Sequence, residues 1–108
     1  MEEKREKIKS GVIYVGSRRF DKETQKMVGK ELSTYQLACI EQLKVPENKG
    51  KISIQARGRA TSRAIDIAAI LDRKLMAKIS NVLIRSNSFE KEGREIYVTE
   101  IEIQMHSV

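Results

Sequence analysis

The sequence predicts an α/β fold: a two-layer sandwich in the order β-α-β-α-β-β, with a mixed sheet covered by two helices on one face. Three observations predict it. Short runs rich in β-branched residues recur at 12–15, 51–56, 80–85 and 96–105. Segments with apolar residues at helical spacing separate the first three of these runs. Only a short charged stretch separates the last two, so they form a terminal hairpin rather than another crossover.

Each element has its own local reason. Residues 1–10 are a charged N-terminal tail, and 11–108 read as a single domain, a length typical of one core. Val12 to Val15 is a buried strand ending at Gly16. Asp21 caps a helix starting at Lys22, which sets Val28, Leu32, Tyr35, Cys39 and Leu43 on one stripe. Gly29 interrupts that stripe, so its firm part is Glu31 to Leu43. A loop around Pro46 to Gly50 closes it. Lys51 to Ala56 alternates around Ile52 and Ile54 as a strand. Thr61 or Ser62 caps a second helix running to about Leu75, with Ala64, Ile67, Ala68, Leu71 and Leu75 toward the sheet. Strands over Ser80 to Arg85 and Ile96 to Met105 flank a charged loop, Ser88 to Arg94. Ile65 and Ala69 form a second apolar strip on the second helix, as on a helix that also packs against a partner, here a second copy of the chain.

Composition excludes several function classes. The longest uncharged apolar run, Val12 to Val15, is far short of the ~20 residues that span a bilayer, so no membrane role is expected. No signal peptide opens the chain, and its one cysteine, Cys39, fits a reducing, cytoplasmic setting. One His and one Cys exclude a His/Cys metal cluster and a supported Cys-His pair, so no metal, cofactor or catalytic residue is expected. Glu100 and Glu102 share a strand face, but alternation with Ile101 and Ile103 makes that face a solvated one rather than a catalytic pair. Tyr14 and Tyr35 sit in core-like patterns, which leaves Phe89 as the free aromatic.

The charge distribution says more than the net +6. Residues 51–80 carry seven bases against two acids, whereas 81–108 carry three against five. Arg57, Arg59 and Arg63 crowd into seven residues where a strand turns into a helix. A helix N-terminus already carries partial positive charge, so Arg63 in its first turn is locally unfavourable. Local repulsion without a nearby carboxylate indicates an anion site, and the planar guanidinium suits phosphate. The bland alternative pairs one arginine with Asp66 or Asp72.

The segment Ala56-Arg57-Gly58-Arg59-Ala60-Thr61-Ser62-Arg63-Ala64-Ile65-Asp66 resembles the signature of the Alba family, small archaeal chromatin proteins with relatives among eukaryotic RNA-binding subunits. The closing run Val98 to Ile103 is similar to the family's last strand, so the resemblance covers most of 52–104. It implies a fold like that of the C-terminal domain of a bacterial translation initiation factor. It also implies a homodimer that binds double-stranded DNA and RNA with little sequence preference, and phosphate contacts from Arg57, Arg59 and Arg63. The last hairpin would be an arm along a groove, with Arg85, Lys91 and Arg94 its basic members; Glu90, Glu92 and Glu95 outnumber the bases of its loop and repel phosphate. The family's basic loop after the first strand, Gly-Lys-Lys-Pro, has two counterparts here. Gly16-Ser17-Arg18-Arg19 follows the better strand and is preferred; Gly29-Lys30-Glu31-Leu32 is the alternative, and about a dozen additional residues precede Tyr35. With Arg18 and Arg19 in that place, a lysine that family members can acetylate is an arginine.

The expected function is therefore that of a non-enzymatic, nucleoid-associated DNA-binding protein. The alternatives are a ribonucleoprotein component, an enzyme with a phosphorylated ligand in the arginine turn, and a homologue that has lost nucleic-acid binding. No Gly-rich phosphate loop or nucleophile–base pair accompanies the arginines.

Overall fold

Strand β1 (Val12–Val15) runs parallel to β4 (Lys51–Arg57), which pairs antiparallel with β6 (Arg94–Ser107), which in turn pairs with β5 (Ala77–Lys91). This mixed sheet, in the order β1-β4-β6-β5, belongs to a computed structural model that describes residues 11–108. The charged segment 1–10 lies outside the described residues. Helices α1 (Leu32–Lys44) and α2 (Thr61–Arg73) pack on one face of the sheet. The predicted order β-α-β-α-β-β is present, with one addition.

Alternation in β4 and β6 explains the layering. Successive strand residues point to opposite faces. Ile52, Ile54 and Ala56 of β4 and Ile101, Ile103 and Met105 of β6 are buried beneath the helices, joined by Ile13 and Val15. Tyr35 and Cys39 of α1 and Ala64, Ile67, Ala68 and Leu71 of α2 meet them. Cys39 is fully buried, and desolvation pushes its thiol up to about 12. Among the described residues the opposite face of the sheet carries no helix; Ser53, Gln55, Glu100, Glu102 and Gln104 lie on it, with Tyr14 on the neighbouring strand.

The addition lies between β1 and α1. The predicted helix from Lys22 is instead a two-stranded ribbon, β2 (Arg19–Asp21) and β3 (Lys26–Val28). Asp21 caps no helix: its Oδ1 accepts the Glu23 N–H within the turn, and Gln25 takes the left-handed backbone needed to reverse the chain. Val28 is exposed rather than on a core stripe. No wall of the core reaches these residues, so nothing rewards winding them into a longer helix.

Three further expectations change. Neither Thr61 nor Ser62 caps α2; the cap position is Ala60, a short 3-10 turn over Gly58–Ala60 leads in, and the Thr61 hydroxyl donates to the Gly58 carbonyl. Leu75 does not pack on the sheet. The helix stops at Arg73, and the N–H groups of Leu75 and Met76 bond back to the Asp72 and Leu71 carbonyls, a Schellman closure that leaves Leu75 at φ +61° and 69% exposed. Finally, Ser88 to Arg94 is no loop. Pairing continues to Lys91 opposite Arg94, because Glu92 and Gly93, both at positive φ, form the tight turn that matches strand twist. Six residue pairs beyond the level of Arg85 thus project as a ribbon about 20 Å long.

Candidate functional site

The arginine turn is held by backbone geometry. At the end of β4 the chain must reverse into α2, and Gly58 does so at φ +58°, a conformation costly for any residue with a Cβ. This sends Arg57 and Arg59 toward the mouth of a 560 Å³ cleft, lined also by Tyr14, Gly16, Ser17, Arg85 and Glu100. Arg57 Nε lies 3.3 Å from Glu100 Oε2, and Arg85 Nε lies 3.8 Å from Glu100 Oε1. Arg85 also reaches Glu102 Oε1 at 3.5 Å. The carboxylate that holds Arg57 is therefore Glu100, not Asp66 or Asp72 as the bland alternative had it. Arg59 has no ion pair among the described residues and is exposed.

Glu102 is the second anchor of this face. It accepts hydrogen bonds from Gln104 Nε2 and Ser53 Oγ, each at 3.1 Å. The Gln104 bond foremost, helped by Ser53 and Arg85, holds its carboxyl below the usual carboxylate range despite partial burial. Both glutamates hold the basic side chains around them, Glu100 through Arg57 and Arg85 and Glu102 through Arg85.

Arg63 is engaged differently. Its guanidinium donates to the carbonyls of Gly16 and Lys30 and stacks over Tyr35, 5.6 Å from the ring centroid. Those carbonyls belong to the two ends of the β2–β3 ribbon, so one arginine clasps its base. The unfavourable charge at the helix N-terminus is offset by carbonyl dipoles. Gly29 fits against the other end without a side chain: at φ +112°, a Cβ there would lie 2.3 Å from the Ser17 oxygen.

The two counterparts of the family's basic loop consequently converge on one place. Arg18 sits beside Glu31, at 3.6 Å, and Lys30 lies with its Nζ 5.9 Å from the Tyr35 centroid. Arg19 is exposed at the start of β2. The ribbon separates Arg18 from Lys30 in sequence while bringing them together in space.

The long arm sorts its charges by face. Register places Arg85, Phe89 and Lys91 of β5 and Arg94 of β6 on the helix-free side, the side of Arg57 and Tyr14. Glu90 and Glu95, directly opposite each other, lie on the reverse side, where the Tyr97 hydroxyl donates to Glu95. Glu90 and Glu95 thus do not share a face with Lys91 and Arg94. Sequence reasoning missed Tyr14, 59% exposed at the cleft, and the tethering role of Glu100. Strict alternation in β1 carried the signal for Tyr14, since Ile13 and Val15 point the other way.

Ile65 and Ala69 are both exposed on α2. Val82 and Ile84, also exposed, face the same side of the sheet from its edge strand β5. No helix among the described residues is long and apolar enough to cross a membrane.

The family model described as Alba matches residues 27–87, more than half of the chain. The chain belongs to the Alba family. Two curated relatives, each called DNA/RNA-binding protein Alba, are similar over 95 residues. That of Methanococcus maripaludis is 30% identical, over 85% of this chain and 92% of its own. That of Methanocella arvoryzae is 34% identical, over 85% and 84%. The structure of Alba from Thermoplasma volcanium superposes with a TM-score of 0.65 at 29% identity, covering 88% of this chain and 98% of that one. An Alba crystal structure from Trypanosoma brucei shares the fold at TM-score 0.66 and 14% identity, covering 93% and 71%. The Alba match begins in β3, so it takes in Lys30 and leaves Arg18 and Arg19 outside.

Proposed function

We propose that this Alba-family chain is a dimeric, non-enzymatic architectural protein of the chromosome. It binds double-stranded DNA, and RNA in the same manner, through phosphate contacts without reading base edges. Residues 11–108 act as one binding domain in the cytoplasm, associated with the nucleoid. The observation that carries this reading is Arg59, an exposed guanidinium without a carboxylate partner among the described residues, beside Arg57 at the mouth of the cleft. Phosphate is the anion its planar fork fits, and such contacts carry affinity without sequence information. Further support comes from the arm, whose Arg85, Lys91 and Arg94 share a face with Arg57. The relatives named DNA/RNA-binding proteins support the ligand class.

The dimer rests on Ile65 and Ala69 together with Val82 and Ile84, an apolar surface suited to a second copy. Arg63 combines two roles in this reading: it clasps the ribbon base and adds positive potential beside the cleft. Arg18, Arg19 and Lys30 extend that potential around the base of the ribbon.

The test is a titration of two unrelated duplexes of equal length at several salt concentrations. Affinities should agree within a few fold, and log affinity should fall steeply with log salt. Arg57→Ala with Arg59→Ala should flatten the slope on DNA by roughly 2 units per protomer in contact. An unchanged slope would remove the arginine turn from the interface. Competition between duplex DNA and structured RNA then ranks the two ligands.

A further inference from the structure

The β2–β3 ribbon is basic, exposed and attached to the candidate interface; the resemblance reaches Arg18, Arg19 and Lys30 near its base but assigns nothing to Lys22 and Lys26. Residues 17–30 contain Arg18, Arg19, Lys22, Lys26 and Lys30 against Asp21 and Glu23, five bases to two acids. Lys22 and Lys26 form no ion pair among the described residues, and neither does Arg19. Pairing of Arg19 with Val28 and of Asp21 with Lys26 sets Arg19 and Lys26 on one face of the ribbon. The Asp21 carboxylate is occupied with the Glu23 N–H. Phe20 and Met27, paired on the other face, are half-exposed and tie the two strands together.

The ribbon is also anchored. Gly16 and Ser17, the residues from which it springs, line the same cleft as Arg57 and Arg59. Arg63 fixes both ends of its base through the Gly16 and Lys30 carbonyls. The base of the ribbon is therefore held next to the arginine turn rather than on a free tether, which lowers the ordering cost of any contact its side chains make.

We propose that the β2–β3 ribbon is a second nucleic-acid-binding arm, gripping the phosphate backbone of a duplex through Arg19, Lys22 and Lys26 beside the cleft. The inference rests on the nucleic-acid reading of the cleft and deepens it. A protein partner with an acidic surface is the competing occupant, and the choice falls on the duplex because this basic ribbon springs from the cleft that Arg57 and Arg59 line.

The experiment compares the full chain with two variants on one duplex across a salt series. The first carries Arg19→Gln, Lys22→Gln and Lys26→Gln; all three side chains are exposed, so the fold should persist. The second deletes residues 18–28 and joins Ser17 to Gly29, which already touch. Each variant should bind at least tenfold more weakly at low salt, with a slope flatter by roughly 2 to 3 units. If the full chain binds duplex and both variants keep its slope and affinity, the ribbon is not an arm, while the cleft reading stands. If the ribbon variants flatten the slope but Arg57→Ala with Arg59→Ala does not, the cleft reading fails and the arm remains. A full chain that does not bind duplex overturns both.

Discussion

Arg63 and Tyr35 grip one residue, Gly16, through the peptide groups on either side of its Cα. The Gly16 N–H donates to the Tyr35 hydroxyl at 3.0 Å, and the Arg63 guanidinium donates to the Gly16 carbonyl while lying over the Tyr35 ring. Residues from the end of β1, the first turn of α1 and the first turn of α2 are thereby joined in one contact, at the place where the additional ribbon leaves the sheet.

Arg63→Ala should consequently cost stability, not only binding. Losing hydrogen bonds to two carbonyls and the ring contact predicts a loss of about 1–2 kcal/mol. Urea unfolding should show a lower midpoint at unchanged m value. Arg63→Lys should recover only part, because an ammonium does not reproduce a planar fork over the ring. An unchanged midpoint in the alanine variant would mean that the clasp contributes nothing.

Glu100 restrains two arginines at once, so neutralising it should act on the ligand rather than on the fold. With Glu100→Gln, Arg57 loses its carboxylate, Arg85 keeps only Glu102, and the cleft gains a unit of positive charge. Duplex binding should tighten several-fold at low salt, with a slope at least as steep as before. Weaker binding would instead show that the carboxylate orients the arginines.

Glu102 gives a pH signature. Its hydrogen bonds from Gln104 and Ser53 and its contact with Arg85 lower its folded-state pKa. The resulting stability is fully present above the unfolded-chain value of about 4.3 and is lost as pH falls through the folded value. In Glu102→Gln that contribution disappears. The stability gap between wild type and variant, measured by urea unfolding, should therefore be largest near neutrality and shrink on the acid side below about pH 4. A gap independent of pH would contradict the assignment.

The apolar surface predicts the oligomeric state. Sedimentation should show a dimer of the 12.4 kDa chain, and Ile65→Lys should shift it toward the monomer at tens of micromolar. A wild-type monomer at that concentration would exclude the assignment of Ile65 and Ala69.

The layers of the fold were legible because the core writes itself into periodicity. Ile52, Ile54 and Ala56 alternate, Ala64, Ile67, Ala68 and Leu71 recur at helical spacing, and both faces end up buried as that spacing requires. The ribbon was illegible for the converse reason. Arg19-Phe20-Asp21 and Lys26-Met27-Val28 touch no core, so their residues carry no inside–outside pattern to read. Leu75 misled because it continues a helical stripe that Schellman hydrogen bonds cut short. At the site, the crowding of arginines was plain from composition, but their partners were not. Arg57 meets Glu100 through strand register, and Arg63 meets main-chain carbonyls that have no residue-type signature.

Because both ends of the ribbon meet under one guanidinium, its length is uncoupled from the rest of the molecule. The chain leaves β1 and rejoins α1 at nearly the same spot, whatever lies between. Residues 18–28 behave in this sense as an exchangeable cassette: evolution, or an engineer, could lengthen, shorten or recharge it without asking the sheet or either helix to move. Binding strength could then be tuned by the cassette alone, leaving the arginine turn to serve every version of the protein unchanged.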